Sequence, residues 1–448
     1  MNAEGYPQTI LILTLAIGIP VSFLRPYTGL LLAVLFLTAG NAPAFNQTRT
    51  DLLGPYLNLG DAFLIIALTA MFFENLRTNK PLLIPKVVPL MLFILIIAAC
   101  QSYWNLGWTY ETARALRWAL ETPIAFLLGA NMVTSEERAK KLIIALLCGA
   151  ILAATQHLFF VFTTWIAKSF ALNIHQLIRT ISYSAGAVPS AFLLTGVIWK
   201  MPKNLRHKII LLIIGILLLA SLLLSQTRSV WIATIGAVPF MLILFKKRNR
   251  IIYIMKFVTI LIIMALAIGW ISERVLPGLD ILKTTSDRIK LLMEKDVKAI
   301  QIGTRERAFK AETGHWLDGT LIFGRGLYYY QSIPNPKKMI EAIAFGHLGY
   351  ITYLSQMGLI GLFIYGVYFQ LMVYKNGRWL WWNGGSTVLR YTGLLGSSSI
   401  ICLSIMFLMS SSFLILGYFA PCVLYGSMWS LVRNKKKQLS DSEPKIEV

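Results

Sequence analysis

The chain is a series of apolar runs separated by short polar stretches. Runs of about 17–22 apolar residues have the length of a membrane-spanning helix. Such runs fall near 59–73, 87–104, 111–131, 142–165, 183–200, 209–225, 229–245, 251–270, 347–374, 391–410 and 413–431. Before them, 8–42 is apolar but interrupted by Pro20 and by Arg25-Pro26. Proline and charge both interrupt a lipid-facing helix, so this stretch reads as two spans or as a broken hairpin. The pattern predicts an all-α polytopic membrane protein with about 12 transmembrane helices. No short apolar run with a small-residue cleavage site opens the chain, so no removable signal peptide is expected.

One long polar interval, 271–346, breaks the series and predicts a single large loop. Within it, 283–313 reads as helix, because charges alternate with Ile289, Leu291, Leu292, Met293, Val297, Ile300 and Ile302. That mix suits a helix lying on a membrane surface. The chain thus divides into a scaffold over 1–270, the loop 271–346, C-terminal spans over 347–432 and a tail over 433–448. From Lys435 the tail is polar and reads as disordered.

Composition supports this class: 56% of residues are hydrophobic and only 14% are charged, against about 25% charged in soluble domains. The net charge of +22 invites a nucleic-acid partner, but its distribution argues against one. Lys and Arg gather at alternate helix ends, at 77–86, 138–141, 200–208, 246–250, 375–390 and 433–437. The opposite short loops carry only Arg49, Lys168, Arg179 and Arg228. Such asymmetry puts the basic loops in the cytoplasm and 271–346 outside. In the loop before the last two spans, Arg378-Trp379-Leu380-Trp381-Trp382 reads as an interfacial anchor. Cys100, Cys148, Cys402 and Cys422 all lie in apolar runs, without metal-ligand spacing, and read as small buried hydrophobes.

A few polar residues stand out against this background. Ser225-Gln226-Thr227-Arg228 is a polar bead between two apolar runs at an outer junction. An Arg there suits phosphate, although interfacial snorkelling explains it too. Arg305 has Phe309 one helical turn on, with Glu306 and Arg307 beside it. His347 begins an apolar run at its outer mouth, where a histidine can serve as a general base. A lone histidine is more often structural. Arg114 and Arg117 lie one turn apart on one helix face, and Glu121 follows four residues after Arg117. Paired arginines in a membrane hint at an anionic ligand, and an internal salt bridge is an equal explanation. No Walker loop, dinucleotide turn or metal constellation occurs, so neither metal nor other cofactor is expected.

Three ordered pieces resemble the O-antigen ligase and O-antigen polymerase superfamily. They are Ser225-Gln226-Thr227-Arg228; Thr304-Arg305 with Phe309, followed by Leu321-Ile322-Phe323-Gly324-Arg325-Gly326; and His347 with Gly358 and Gly361. The resemblance covers roughly 183–375. It departs at Leu348, where the family usually has Asn or Ser, and at Phe309, often Trp. It implies a multi-pass membrane glycosyltransferase of the GT-C type in the bacterial inner membrane, its site facing the periplasm. Such an enzyme moves a glycan from undecaprenyl diphosphate to an acceptor, inverting and without metal. His347 would act as the base, and Arg228 and Arg305 would bind the diphosphate. Arg114, Arg117, Arg307 and Arg325 would add substrate contacts. A ligase uses lipid A–core as acceptor; a polymerase uses a second lipid-linked glycan. One large outer loop rather than two favours the ligase. The rival from another class is a transporter or lipid-linked sugar flippase, which needs no base and predicts charge buried mid-span; Lys256 is its one clear candidate. A purely structural membrane protein leaves the ordered residues as coincidence.

Overall fold

The computed structural model describes residues 16–39, 59–107, 110–168, 187–198, 204–224, 228–243, 320–327, 349–408 and 419–442, with short pieces within 309–317 and residue 259. The helices are α1 (Pro26–Ala39), α2 (Leu59–Thr78), α3 (Val87–Leu106), α4 (Tyr110–Met132), α5 (Glu136–Lys168), α6 (Ala187–Ile198), α7 (Leu205–Leu224) and α8 (Arg228–Ile243). After the loop come α9 (Gly349–Gly361), a π-helical segment Leu362–Tyr368, α10 (Phe369–Asn383), α11 (Thr387–Phe407) and α12 (Phe419–Ser442). No strand occurs among the described residues; Thr320 and Gly324 form one isolated bridge.

Five described stretches are long and apolar enough to cross a membrane: Val87–Asn105, Glu136–Phe159, Leu205–Leu223, Gly349–Asn383 and Thr387–Phe407. Pro26–Thr38 and Val230–Phe240 are apolar but shorter. Most of the expected span 251–270 and of the loop 271–346 lies outside the described residues. Many large apolar side chains on these helices face outward, among them Phe93, Ile96, Ile213 and Phe363. A helix surface of this kind needs lipid around it. Inside, α12 packs on α4 closely enough that a Cβ at Gly426 would overlap the α4 backbone at Phe126. Small residues permit such approach where no hydrophobic effect drives helices together.

Several basic helix ends meet at one end of the molecule. Arg138, in the first turn of α5, donates to Glu74 Oε1 of α2 at 2.6 Å and to the Met132 carbonyl at 2.8 Å. Its guanidinium also stacks over the Tyr27 ring of α1. Asn131 joins the α4 end to the 81–86 turn through Leu83, and Asn434 of α12 donates to the Thr134 carbonyl. Glu74 is 8% exposed, so its charge depends on that partner. Glu74→Ala is expected to cost about 2 kcal/mol, the scale of a charge-assisted hydrogen bond. Thermal unfolding in detergent checks this, and an unchanged midpoint would remove the pair from the account of this end.

Three expectations are revised here. Arg378 to Trp382 lie within helix α10, not in a loop. There Leu380 is buried, Trp382 is exposed and Lys436 sits over the Trp379 ring. Helix α12 continues through Ser442 rather than ending at Lys435, because Lys, Gln and Leu are good helix formers and extend a helix already anchored by packing. Cys402 and Cys422 are buried, but Cys100 and Cys148 lie on exposed helix faces.

The apolar run near 347–374 is not one straight span. Gly358, inside α9, has φ 68° and ψ −167°, and the helix breaks there. The Tyr350 hydroxyl donates to Gln370 Oε1 at 2.7 Å, and the Tyr353 and Tyr365 rings are 5.5 Å apart. Twenty residues of straight helix would separate Tyr350 from Gln370 by about 30 Å. The chain therefore folds back at Gly358, with Gly349–Met357 as a short arm against the start of a long arm that runs on to Asn383. At the N-terminus, Arg25-Pro26 likewise bends the chain, which brings Ser22 against Gly29.

Candidate functional site

A helix broken at Gly358 leaves backbone donors and acceptors without helical partners, and inside a membrane they must be satisfied by protein. The turn 320–327 supplies those partners. Arg325 N–H donates to the Ser355 carbonyl (2.8 Å) and Gly326 N–H to the Gln356 carbonyl (3.0 Å). In return, Leu359 N–H donates to the Leu321 carbonyl (3.1 Å) and Ile360 N–H to the Ile322 carbonyl (3.2 Å). Four bonds thus tie the 320–327 turn to the tip of the hairpin.

The far end of α3 closes the joint from a third side. Ser102 Oγ lies 2.8 Å from the Leu327 carbonyl and 2.8 Å from the Ala98 carbonyl of its own helix. Asn105 Nδ2 donates to the Arg325 carbonyl at 2.8 Å. The Gln101 amide, oriented to match its surroundings, donates to the Phe323 carbonyl at 2.9 Å and accepts from Thr320 Oγ1 at 3.2 Å. Contact this close needs glycine. Gly324 and Gly326 have φ +75° and +105°, and a Cβ at Gly326 would lie 2.5 Å from Ser102 N. A Ser102→Ala/Asn105→Ala protein is expected to exchange the amide hydrogens of 320–327 faster than wild type. Unchanged exchange would show that α3 does not hold the turn.

The structure locates some of the candidate side chains and not others. Arg325 sits in the turn, half-buried, with N–H and carbonyl both bonded as above. Arg117 and Glu121 are half-buried on α4, and both make contacts within the fold. Arg114 is on the same helix, one turn earlier, and its side chain lies outside the described residues. Arg228 is the first residue of α8; its side chain too lies outside the description. The junction it opens is braced by Trp231, whose Nε1 donates to the Leu222 carbonyl of α7 at 2.7 Å. Arg305, Arg307 and His347 lie outside the described residues altogether.

Helix direction still relates the described positions. α3 starts at Lys86 and α7 at Arg206 and Lys208, so Ser102 and the α7–α8 junction both lie away from the basic helix ends. α4 ends beside Arg138, so its Arg114–Arg117 start lies away from that end as well. Gln101, Ser102 and Asn105 were not singled out by the sequence. Their signal was a run of amides and a hydroxyl spaced along the last turns of an apolar helix, which reads equally as an ordinary membrane-interface end.

A family model described as O-antigen ligase matches residues 213–366. No curated protein sequence matches the chain. The matched segment begins within α7, contains Arg228, Arg305, Arg307, Arg325 and His347, and ends just past the hairpin tip. The broken helix and the turn docked on it fall inside that segment, so this part of the chain is similar to the O-antigen ligase family.

Proposed function

We propose that the protein is an O-antigen ligase-like glycosyltransferase of the bacterial inner membrane. It moves a glycan from undecaprenyl diphosphate to lipid A–core on the periplasmic face. The observation that carries this reading is the family match over 213–366, which spans both proposed diphosphate-binding arginines and the proposed base.

In this reading His347, two residues before the short arm of the hairpin, removes the proton from the attacking acceptor hydroxyl. Arg228 and Arg305 neutralise the diphosphate leaving group, where fixed positive charge counts most in the transition state. Their planar guanidinium groups match phosphate oxygens and perform the charge neutralisation that a metal performs elsewhere. Direct attack by the acceptor inverts the anomeric configuration. Arg114, Arg117, Arg307 and Arg325 add positive charge around the sugar diphosphate. The clamp among α3, the 320–327 turn and the hairpin tip supports the reading, because it gives the loop and the His347 arm one rigid attachment. Catalytic groups gain from such fixing, since small displacements lose much of the rate.

Ligase and polymerase differ only in acceptor. Purified protein would be given a lipid-diphosphate-linked glycan, with lipid A–core and without it. Product on lipid A–core is expected. Longer carrier-linked glycan in its place makes the chain a polymerase of the same superfamily. Carrier crossing the bilayer without transfer makes it a transporter.

A further inference from the structure

Behind the hairpin lies a small cavity of about 30 Å³. Its walls combine the apolar Phe369, Ile400, Leu403 and Phe407 with polar groups of Tyr353, Tyr365, Gln370, Thr122, Cys422 and Tyr425. None of its lining residues is assigned to the proposed diphosphate site. Gln370 is 8% exposed. Its Oε1 is occupied by the Tyr350 hydroxyl at 2.7 Å, with Ser404 Oγ 2.8 Å away. Both groups are hydroxyls, which can donate or accept, so they hold one end of the amide whichever way it faces. The other end of the amide, equally buried, has no hydrogen-bond partner among the described residues.

The backbone before Gln370 makes that placement specific. Leu362–Tyr368 is π-helical and runs directly into α10. One extra residue in a turn rotates everything after it by about 100° relative to an α-helix. The wide segment therefore sets the face on which Gln370 stands, between Tyr350 and the cavity. An amide group left unpaired in a membrane interior costs several kcal/mol. A water molecule reached by several polar groups removes that cost, and about 10–15 Å³ suffices for one.

We propose that this cavity is an internal hydration site, in which one or two water molecules hydrogen-bond to the free end of the Gln370 amide and bridge to the hydroxyl groups of the surrounding walls. The site would keep the two arms of the hairpin together through a bonded solvent bridge rather than through apolar packing alone. The inference does not depend on the transferase reading.

Radiolytic hydroxyl-radical labelling of the full-length protein in nanodiscs tests it, because side chains beside ordered water are oxidised even where bulk solvent has no access. Two buried thiols give an internal comparison. Cys422 lines the cavity, whereas Cys402 lies elsewhere with its Sγ near the Ala233 carbonyl. Labelling at Cys422 is expected to run several-fold faster than at Cys402. Gln370→Met, which keeps the length and removes the amide, should bring Cys422 down to the Cys402 rate. Thr122→Val should lower it also. Equal labelling of the two thiols in the wild-type protein would overturn the proposal, whether or not either variant folds. So would fast labelling at Cys422 that persists unchanged in a folded Gln370→Met protein.

Discussion

Gly358→Ala is expected to unfold the joint between the hairpin tip and the 320–327 turn and to cost about 3 kcal/mol or more. Two independent terms contribute. A φ of 68° with ψ of −167° falls in a region open essentially to glycine alone, where other residues pay about 1–3 kcal/mol of strain. A side chain also has nowhere to go, because a Cβ would overlap the backbone at Ile322 and Phe323. Overpacking of that kind adds about 1–3 kcal/mol. Either outcome of the clash, a shifted turn or a straightened helix, loses the four bonds that join 321–326 to 355–360. Thermal unfolding of purified protein should show a lower midpoint, with Gly314→Ala as the control, since nothing lies within 4 Å of a Cβ there. A Gly358→Ala protein as stable as that control would contradict the folded-back hairpin.

His347→Ala is expected to lower kcat by about 10²–10⁴-fold, the usual contribution of a positioned general base. Donor binding should change little, because the imidazole acts on the acceptor's proton. Arg228→Ala and Arg305→Ala should behave differently. Each removes charge that opposes the diphosphate in both ground and transition states, so each should raise KM for the lipid donor as well as lower kcat. Wild-type rate should rise with pH as the imidazole loses its proton, and the His347→Ala protein should lack that limb. A variant that keeps the wild-type rate and pH profile would take His347 out of the mechanism. Arg228→Lys gives a further distinction. Lysine keeps the charge and loses the planar two-point grip, so partial loss points to phosphate recognition rather than snorkelling.

Hydropathy made the helices legible, because a spanning segment must be both apolar and about 20 residues long. The basic loops likewise marked one end of the molecule, and Arg138 and Asn434 meet their partners there. What hydropathy could not show was the reversal at Gly358. The run from 347 to 374 is uniformly apolar whether it continues straight or folds back, since both arms are buried in the same medium. The signal that mattered was backbone geometry, carried by glycines whose role depends on what packs against them. Gly324, Gly326 and Gly358 were legible only as parts of a family pattern; the bonds from 320–327 to Ser355, Gln356, Leu359 and Ile360 give that pattern a physical reason. Gln101, Ser102 and Asn105 were missed because their partners are more than 200 residues away in sequence. The Arg378–Trp382 patch was misplaced for a related reason. Aromatic and basic residues mark an interface equally well on a loop or on the last turns of a helix.

The most direct test of the central claim is single-turnover transfer by the purified protein, with a radiolabelled undecaprenyl-diphosphate glycan as donor and lipid A–core as acceptor. Label is expected to move to lipid A–core with inverted anomeric configuration, and to stay on the carrier in the His347→Ala protein. Label that never leaves the carrier in the wild-type protein, with both substrates shown to serve another transferase, would contradict the assignment.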